Sequence, residues 1–420
     1  MEARDPGRGS GVMPSLPGYF IPGLEIQLLR RLRFVTLAAA PLVLFGCGSD
    51  TTAPPPPIGE VIGDPIPELT AAQRAAASRG RPLFDAVFEA SDGLGPLFNG
   101  SSCATCHIQP ASGGTSDRTV RLATRELPDG TCDDLSLLGG PVFQNLRTMA
   151  LRQAVGGGKE PIPAEATGRA ERLAPDLFGF GLLDAIPEAT ILALADPGDS
   201  DGDGISGRPN RAPDGRLGRF GRKAAVPTLA EFNTAAFFFE IGATSPAHPE
   251  DVGIMGQPLP AGTDLAPDPE LTTLEIARVD TFIRFLAPPF RAPASAAADR
   301  GEQLFSDVGC DGCHVPTLRT GSSPVAAIAN RDVAAYTDLL LHDMGPALGD
   351  ACQGLASATE FRTEPLMGLR LSQLFMHDGR AATIRAAIDL HGGEANASRA
   401  AYRGLSEADR NALLEFLETL

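Results

Sequence analysis

The pentapeptide Cys103-Ala104-Thr105-Cys106-His107, repeated in kind as Cys310-Asp311-Gly312-Cys313-His314, constrains this chain more than any other feature. Two thiols two residues apart, followed at once by an imidazole, are the attachment signal of a c-type haem. The thiols form thioethers to the porphyrin vinyl groups, and the adjacent His becomes the proximal iron ligand. A zinc or thiol-redox reading of CxxC leaves the His after each second Cys without a role. Two such motifs in matching contexts therefore imply two covalently bound haems c, one on Cys103, Cys106 and His107 and one on Cys310, Cys313 and His314.

The contexts do match. Arg79-Gly80-x-x-Leu83-Phe84 precedes the first motif and Arg300-Gly301-x-x-Leu304-Phe305 the second, both in Ala-rich stretches with apolar residues at helical spacing. Further on, Arg172-x-x-Pro175 with Gly179 echoes Arg362-x-x-Pro365 with Gly368, and Ala189-Thr190-Ile191 echoes Ala382-Thr383-Ile384. Each half reads helix, haem motif, loops, Arg/Pro segment, helix. The expected fold is mainly α, two cytochrome-c-like haem domains in tandem over 67–290 and 291–420. The 47 Gly and 37 Pro predict long loops. An insert over about 197–290 belongs to the first half.

The N-terminus reads as a targeting segment. Arg30, Arg31 and Arg33 precede a short apolar run, Phe34 to Phe45, that ends in Leu44-Phe45-Gly46-Cys47. A charged region, a short apolar region and a small residue before the cleavage point make a signal peptide over 1–47, and the run is too short to span a bilayer. Cys47 is placed like a lipoprotein acceptor, which predicts a lipid-anchored periplasmic protein of the outer membrane. Residues 48–66, with Pro54 to Pro57 in a row, read as a flexible tether. With Cys47 lipidated and four cysteines holding haems, Cys132 and Cys352 remain. In an oxidising compartment they can pair and tie the halves together, or stay separate as buried thiols.

Charge excludes some partners. With 35 basic and 52 acidic residues the chain carries −17, which argues against nucleic acid and anionic lipid surfaces. Asp199, Asp201 and Asp203 alternate before Gly204, as in the first half of a calcium loop. The bidentate acid that should close the loop at position twelve is replaced by Asn210. The run Ala235 to Ile241 (AAFFFEI) reads as packed core.

Four stretches, LLLHDMG (339–345), FMHDGRAATIRAAIDLHGGEA (375–395), FGFGLLDAIPE (178–188) and DGDGISGRPN (201–210), resemble the bacterial di-haem oxidoreductases related to the di-haem cytochrome c peroxidases. The resemblance covers about 70–420. It implies that electrons from a redox protein or quinol-linked donor enter at the C-terminal haem and that hydrogen peroxide is reduced at the N-terminal one. It also implies a distal ligand fourteen residues after the His of the H-D-G motif. That His is His377, so the ligand is His391 where the peroxidases usually carry Met. No His lies between His107 and His248, and Met149 is the only Met there, so the first iron is expected to be open to substrate. Glu188, ahead of Asp184 and the Asp199–Asp203 loop, is the first candidate for the acid/base that peroxide cleavage needs. The absence of Trp removes the radical relay of some relatives. A pure electron-transfer cytochrome and a haem oxygenase acting on an organic substrate remain alternatives.

Overall fold

Thr70 opens the first helix by accepting the Gln73 backbone N–H, while the Gln73 side chain accepts the Thr70 N–H, a capping box at the head of α1 (Ala71–Asp85). The computed structural model describes residues 61–420. The signal peptide over 1–47 with Cys47, and the tether as far as residue 60, lie outside the described residues. Among those described, nine further α-helices follow: α2 (Met149–Val155), α3 (Phe180–Asp184), α4 (Glu188–Leu192), α5 (Leu229–Ala236), α6 (Thr273–Arg284), α7 (Ala296–Asp307), α8 (Ile384–Leu390), α9 (Asn396–Gly404) and α10 (Glu407–Leu417). None is long and apolar enough to cross a membrane.

The repeated R-G-x-x-L-F has a packing explanation. A Cβ on Gly80 would sit 1.9 Å from the Arg278 carbonyl oxygen, and one on Gly301 would sit 2.0 Å from that of Ala412. Each glycine lets its helix lie directly against a second one, α1 on α6 and α7 on α10. The phenylalanine four residues on fills the seam: Phe84 meets Phe282 edge-on at 5.1 Å, and Phe305 meets Phe416 at 5.4 Å. A crossed helix pair thus frames each CxxCH motif.

Between these pairs the structure departs from the expectation of a mainly α fold. Helix makes up 32% of the described residues, and small antiparallel sheets join the loops. The largest sheet pairs Thr119–Glu126 with Cys132–Asp133 on one side and Gly168–Leu173 on the other. The reason is legible in the packing. Leu122 and Ala170, opposite each other in register, pack with Val142 and with Ala351 from beyond residue 290. Apolar residues on one face of paired strands need only a shallow partner, so a short sheet suffices.

The halves share their interior. The largest core cluster holds Phe84, Phe178 and Phe282 together with Leu318, Val333 and Leu339 from beyond residue 290. Cys132 and Cys352 are bridged, with Cα atoms 5.8 Å apart, which resolves the alternative left open by the sequence. Beside the bridge Asp350 receives Arg172 and Lys223, each at 3.0 Å. Lys223, one of two lysines in the chain, is fully buried; its ammonium donates to the carbonyls of Ser357, Ala358 and Glu360 and lies 3.5 Å above the Phe361 ring. A buried ammonium needs this full set of partners.

Candidate functional site

Both CxxCH motifs fold as one short 3-10 turn, Cys103–Thr105 and Cys310–Gly312. In each, the His backbone N–H donates to the carbonyl of the first Cys at 3.0 Å. That bond fixes the pentapeptide as a single turn carrying both sulfurs and the imidazole. The four thiols are unpaired, and burial pushes Cys103 and Cys310 up to about 12 and Cys106 up to about 11. Held as neutral thiols, Cys103, Cys106 and Cys310 are not poised for dithiol redox chemistry.

The imidazoles are prepared as ligands. His107 donates from Nδ1 to the carbonyls of Pro175 (2.9 Å) and Gly114 (3.1 Å). His314 donates from Nδ1 to Tyr336 (3.0 Å), and His391 to Ala387 (2.8 Å). Burial lowers the pKa of all three, His314 to about 4, so each ring is neutral and the Nε2 lone pair is left over. An Nδ1–H fixed on a carbonyl is the usual support of a metal-binding His.

The two sites differ in what faces that lone pair. The His314 and His391 ring centres stand 6.5 Å apart. Two metal–nitrogen bonds of about 2 Å and about 1 Å from each nitrogen to its ring centre make roughly 6 Å, the span of one metal bound between two imidazoles. Both rings line a cavity of about 270 Å³ with Cys310, Cys313, Phe305, Met344 and Leu417, so the residues fit a haem. His107 has no such partner among the described residues. The ring beside it is Phe84 at 6.4 Å, while His248 stacks on Phe238, His377 on Phe361, and His342 is bonded to carboxylates. His248, between Ala and Pro in a loop, is thus half-buried on an aromatic ring rather than exposed. Met149 is 65% exposed on α2.

The family model described as "Di-haem oxidoreductase, putative peroxidase" matches residues 166–420, which contain the second CxxCH motif and His391. The chain belongs to this family. No curated protein matches the chain. Among solved structures, it is similar to a hydrazine synthase of Kuenenia stuttgartiensis, at 15% identity over 93% of this chain and 100% of that one, with a TM-score of 0.39. It is similar to a MauG-like protein associated with microbial copper homeostasis, at 18% identity over 85% and 92%, TM-score 0.39. It is also similar to the diheme peroxidase BthA of Burkholderia thailandensis, at 18% identity over 82% and 86%, TM-score 0.41.

In this di-haem oxidoreductase the two candidate sites are joined by a short backbone segment. Pro175, which accepts from His107, and its neighbours Ala174 and Asp176 also line the His314–His391 cavity. Arg222 and Arg362 close that wall on Glu364 at 2.8 and 2.6 Å and, against its burial, hold its carboxyl below the usual range. Burial and Glu364 push Asp176 up to about 7.

The sequence-derived acid/base, Glu188, starts α4 after Pro187, with its side chain 46% exposed and 3.4 Å from Arg211. A second carboxyl escaped sequence reading: Glu240, the single charge inside AAFFFEI, on a π-helical turn over Phe237–Ile241. Such turns often mark function. Burial pushes Glu240 up to about 7, Asn99 donates to it at 2.8 Å, and, after burial, its charge is what raises the Cys106 thiol most. That lone acid in an apolar run was the available signal.

The acidic clusters are structural in their contacts. Ligand oxygens of Asp199, Asp201 and Asp203 come within 4.8 Å of one another. They accept the backbone N–H groups of Gly204, Asp203 and Ile205 in their own turn. Asn210 does not close the loop; it is buried and donates to the carbonyls of Lys223 and Gln353. Asp251, Asp264 and Glu270 form a second group. Burial, then Glu270 and Asp268, push Asp251 up to about 8, and burial pushes Glu160 up to about 7. A carboxyl raised on folding lends stability that is present below its unfolded pKa and is lost as pH rises through the folded one. The unfolding temperature, measured in chelator, is therefore expected to fall between about pH 5 and pH 8. Asp251→Asn with Glu160→Gln should flatten that slope; a midpoint that rises across this window contradicts it.

Proposed function

We propose that this chain is an exported di-haem c-type oxidoreductase of the peroxidase kind, in which electrons enter at the second site and hydrogen peroxide is reduced at the first. The observation that carries the proposal is the inequality of the two sites. A pair of imidazoles 6.5 Å apart suits a six-coordinate electron-transfer centre, whereas His107 stands without an opposing imidazole among the described residues. Cys103, Cys106 and His107 would hold one haem covalently, and Cys310, Cys313, His314 and His391 the other. Haem supplies reversible one-electron change at iron and a place for peroxide to bind where a coordination position is free.

The protein's part is to hold the proximal imidazoles neutral, to keep the second site closed, and to deliver protons. Reduction of one peroxide takes two electrons and two protons and yields two waters, so an acid near neutral pKa is needed at the first site. Glu240 meets that need through its burial and its nearness to Cys106, and Glu188 is the alternative. The segment Ala174–Asp176, bonded to His107 and bordering the second cavity, offers a protein link for electrons in a chain without Trp. The donor is a redox protein or a quinol-linked carrier.

Export rests on the c-type motifs, which are loaded outside the cytoplasm, and on the Cys132–Cys352 bridge, which suits an oxidising compartment. We place the protein in the periplasm, lipid-anchored to the outer membrane through Cys47, with its first haem in a domain over 67–290 and its second over 291–420. Calcium at Asp199, Asp201 and Asp203 has little behind it, since those carboxylates already cap their own turn.

Ferric and half-reduced absorption and electron paramagnetic resonance spectra test the reading. One high-spin and one low-spin haem are expected, with peroxide turnover from a reduced cytochrome falling at least ~10²-fold in Glu240→Gln and little in Glu188→Gln. Two low-spin haems in every redox state would leave an electron-transfer cytochrome instead.

A further inference from the structure

One imidazole holds together three segments beside the second CxxCH motif. The His342 side chain is 3% exposed, on the short strand Leu341–Asp343 that pairs with Glu360–Arg362. Its Nε2 lies 2.8 Å from Asp338 Oδ2, and its Nδ1 lies 2.8 Å from Glu394 Oε2. Carboxylates only accept, and a neutral imidazole has a single N–H, so satisfying both contacts makes the ring a cation with two N–H donors. Against burial, Asp338, then the Cys313 sulfur and Glu394, push it up to about 12, so it carries charge throughout the physiological range.

Glu394 spreads that anchoring. It also accepts from the Ser206 N–H (3.0 Å), the Ser206 hydroxyl (2.7 Å) and the Asp343 N–H (3.1 Å). His391 lies three residues earlier, across Gly392 and Gly393. Gly393 has φ +55, and a Cβ there would fall 1.9 Å from the Asp343 carbonyl oxygen, so this turn is pressed directly on the strand that carries His342. On its other side, His342 Nδ1 is 3.6 Å from the Cys313 sulfur. The ring therefore touches the motif that carries His314 and pins the turn that follows His391.

We propose that His342, clamped between Asp338 and Glu394, is a positioning residue of the second haem site. It fixes the turn that presents His391, and it places a positive charge beside the Cys313 attachment that favours the reduced state. This rests on the His314/His391 ligation proposed above. The sign follows from Coulomb's law at short range in a poorly screened interior. The triad as a whole carries one cation and two anions, so removing the cation and removing an anion must shift the potential in opposite directions.

Potentiometric titration of the purified holoprotein, followed at the low-spin haem by absorption and electron paramagnetic resonance, tests this. His342→Gln should lower the midpoint potential and convert part of the low-spin signal to high-spin. Glu394→Gln should raise the potential. Loss of packing alone has no reason to reverse sign between the two. Shifts in one common direction, or no shift in either, overturn the proposal. If His342→Gln fails to fold, Glu394→Gln and Asp338→Asn must both raise the potential, and a fall in either overturns it. His391→Ala separates this inference from the one beneath it. A low-spin signal that survives His391→Ala means the ligation is wrong. If the signal is lost there while His342→Gln changes nothing, only the role of His342 has failed.

Discussion

Replacing His391 by Met is expected to raise the potential of the second haem by on the order of 100 mV, since axial ligands move haem potentials over a range of about 0.8 V and a thioether favours the reduced iron. The position tolerates the swap sterically: His391 closes α8, lines the cavity with Met344 and Met376, and needs only its Ala387 hydrogen bond removed. His391→Ala should have a different signature, a high-spin second haem and loss of peroxide turnover from a cytochrome donor. Both results follow from the 6.5 Å ring separation and the two free Nε2 atoms. A wild-type spectrum with both haems high-spin, or a Met variant whose potential falls, would refute this ligation.

Opening the Cys132–Cys352 bridge should cost 2–5 kcal/mol, at the upper end because its ends are 220 residues apart. In the chain-entropy account a loop of that length is worth about 5 kcal/mol, relieved somewhat by whatever structure the unfolded chain keeps. The bridge joins the edge strand Cys132–Asp133 to the loop whose Asp350 receives Arg172 and Lys223. The double Cys→Ser variant should therefore fold, with its halves still pinned by that buried ion cluster, but unfold at lower denaturant. Equilibrium unfolding of the haem-loaded protein, wild type against variant, measures the difference. A loss below about 1 kcal/mol would mean the packed and charged junction alone sets the association.

How much of the site was legible beforehand depended on sequence distance. The Cys and His of each motif are neighbours in the chain, and the chemistry of thioether and axial ligation requires them to be. The helices α1 and α7 were legible in outline, because Gly80 and Gly301 repeat with Phe84 and Phe305, although their pairing and the reason for the glycines appear only when α6 and α10 lie against them. Glu240 was hidden by its apolar neighbours: in AAFFFEI a buried acid and a solvent-facing one are written alike. The shortest strands were missed because two or three residues carry too few positions for alternation to be counted, and Thr119–Glu126, though longer, buries Leu122, Ala123 and Thr124 in succession instead of alternating.

The two CxxCH motifs and the family to which the chain belongs were readable from the sequence alone, since each depends on residue type at fixed local spacing. It took the folded chain to show that Cys132 meets Cys352, that His391 stands near His314 while no imidazole among the described residues stands opposite His107, and that His342 lies between Asp338 and Glu394. Those are meetings of residues up to 220 positions apart. They are set by which helix faces pack and which buried charges must find partners, conditions that a local pattern does not record.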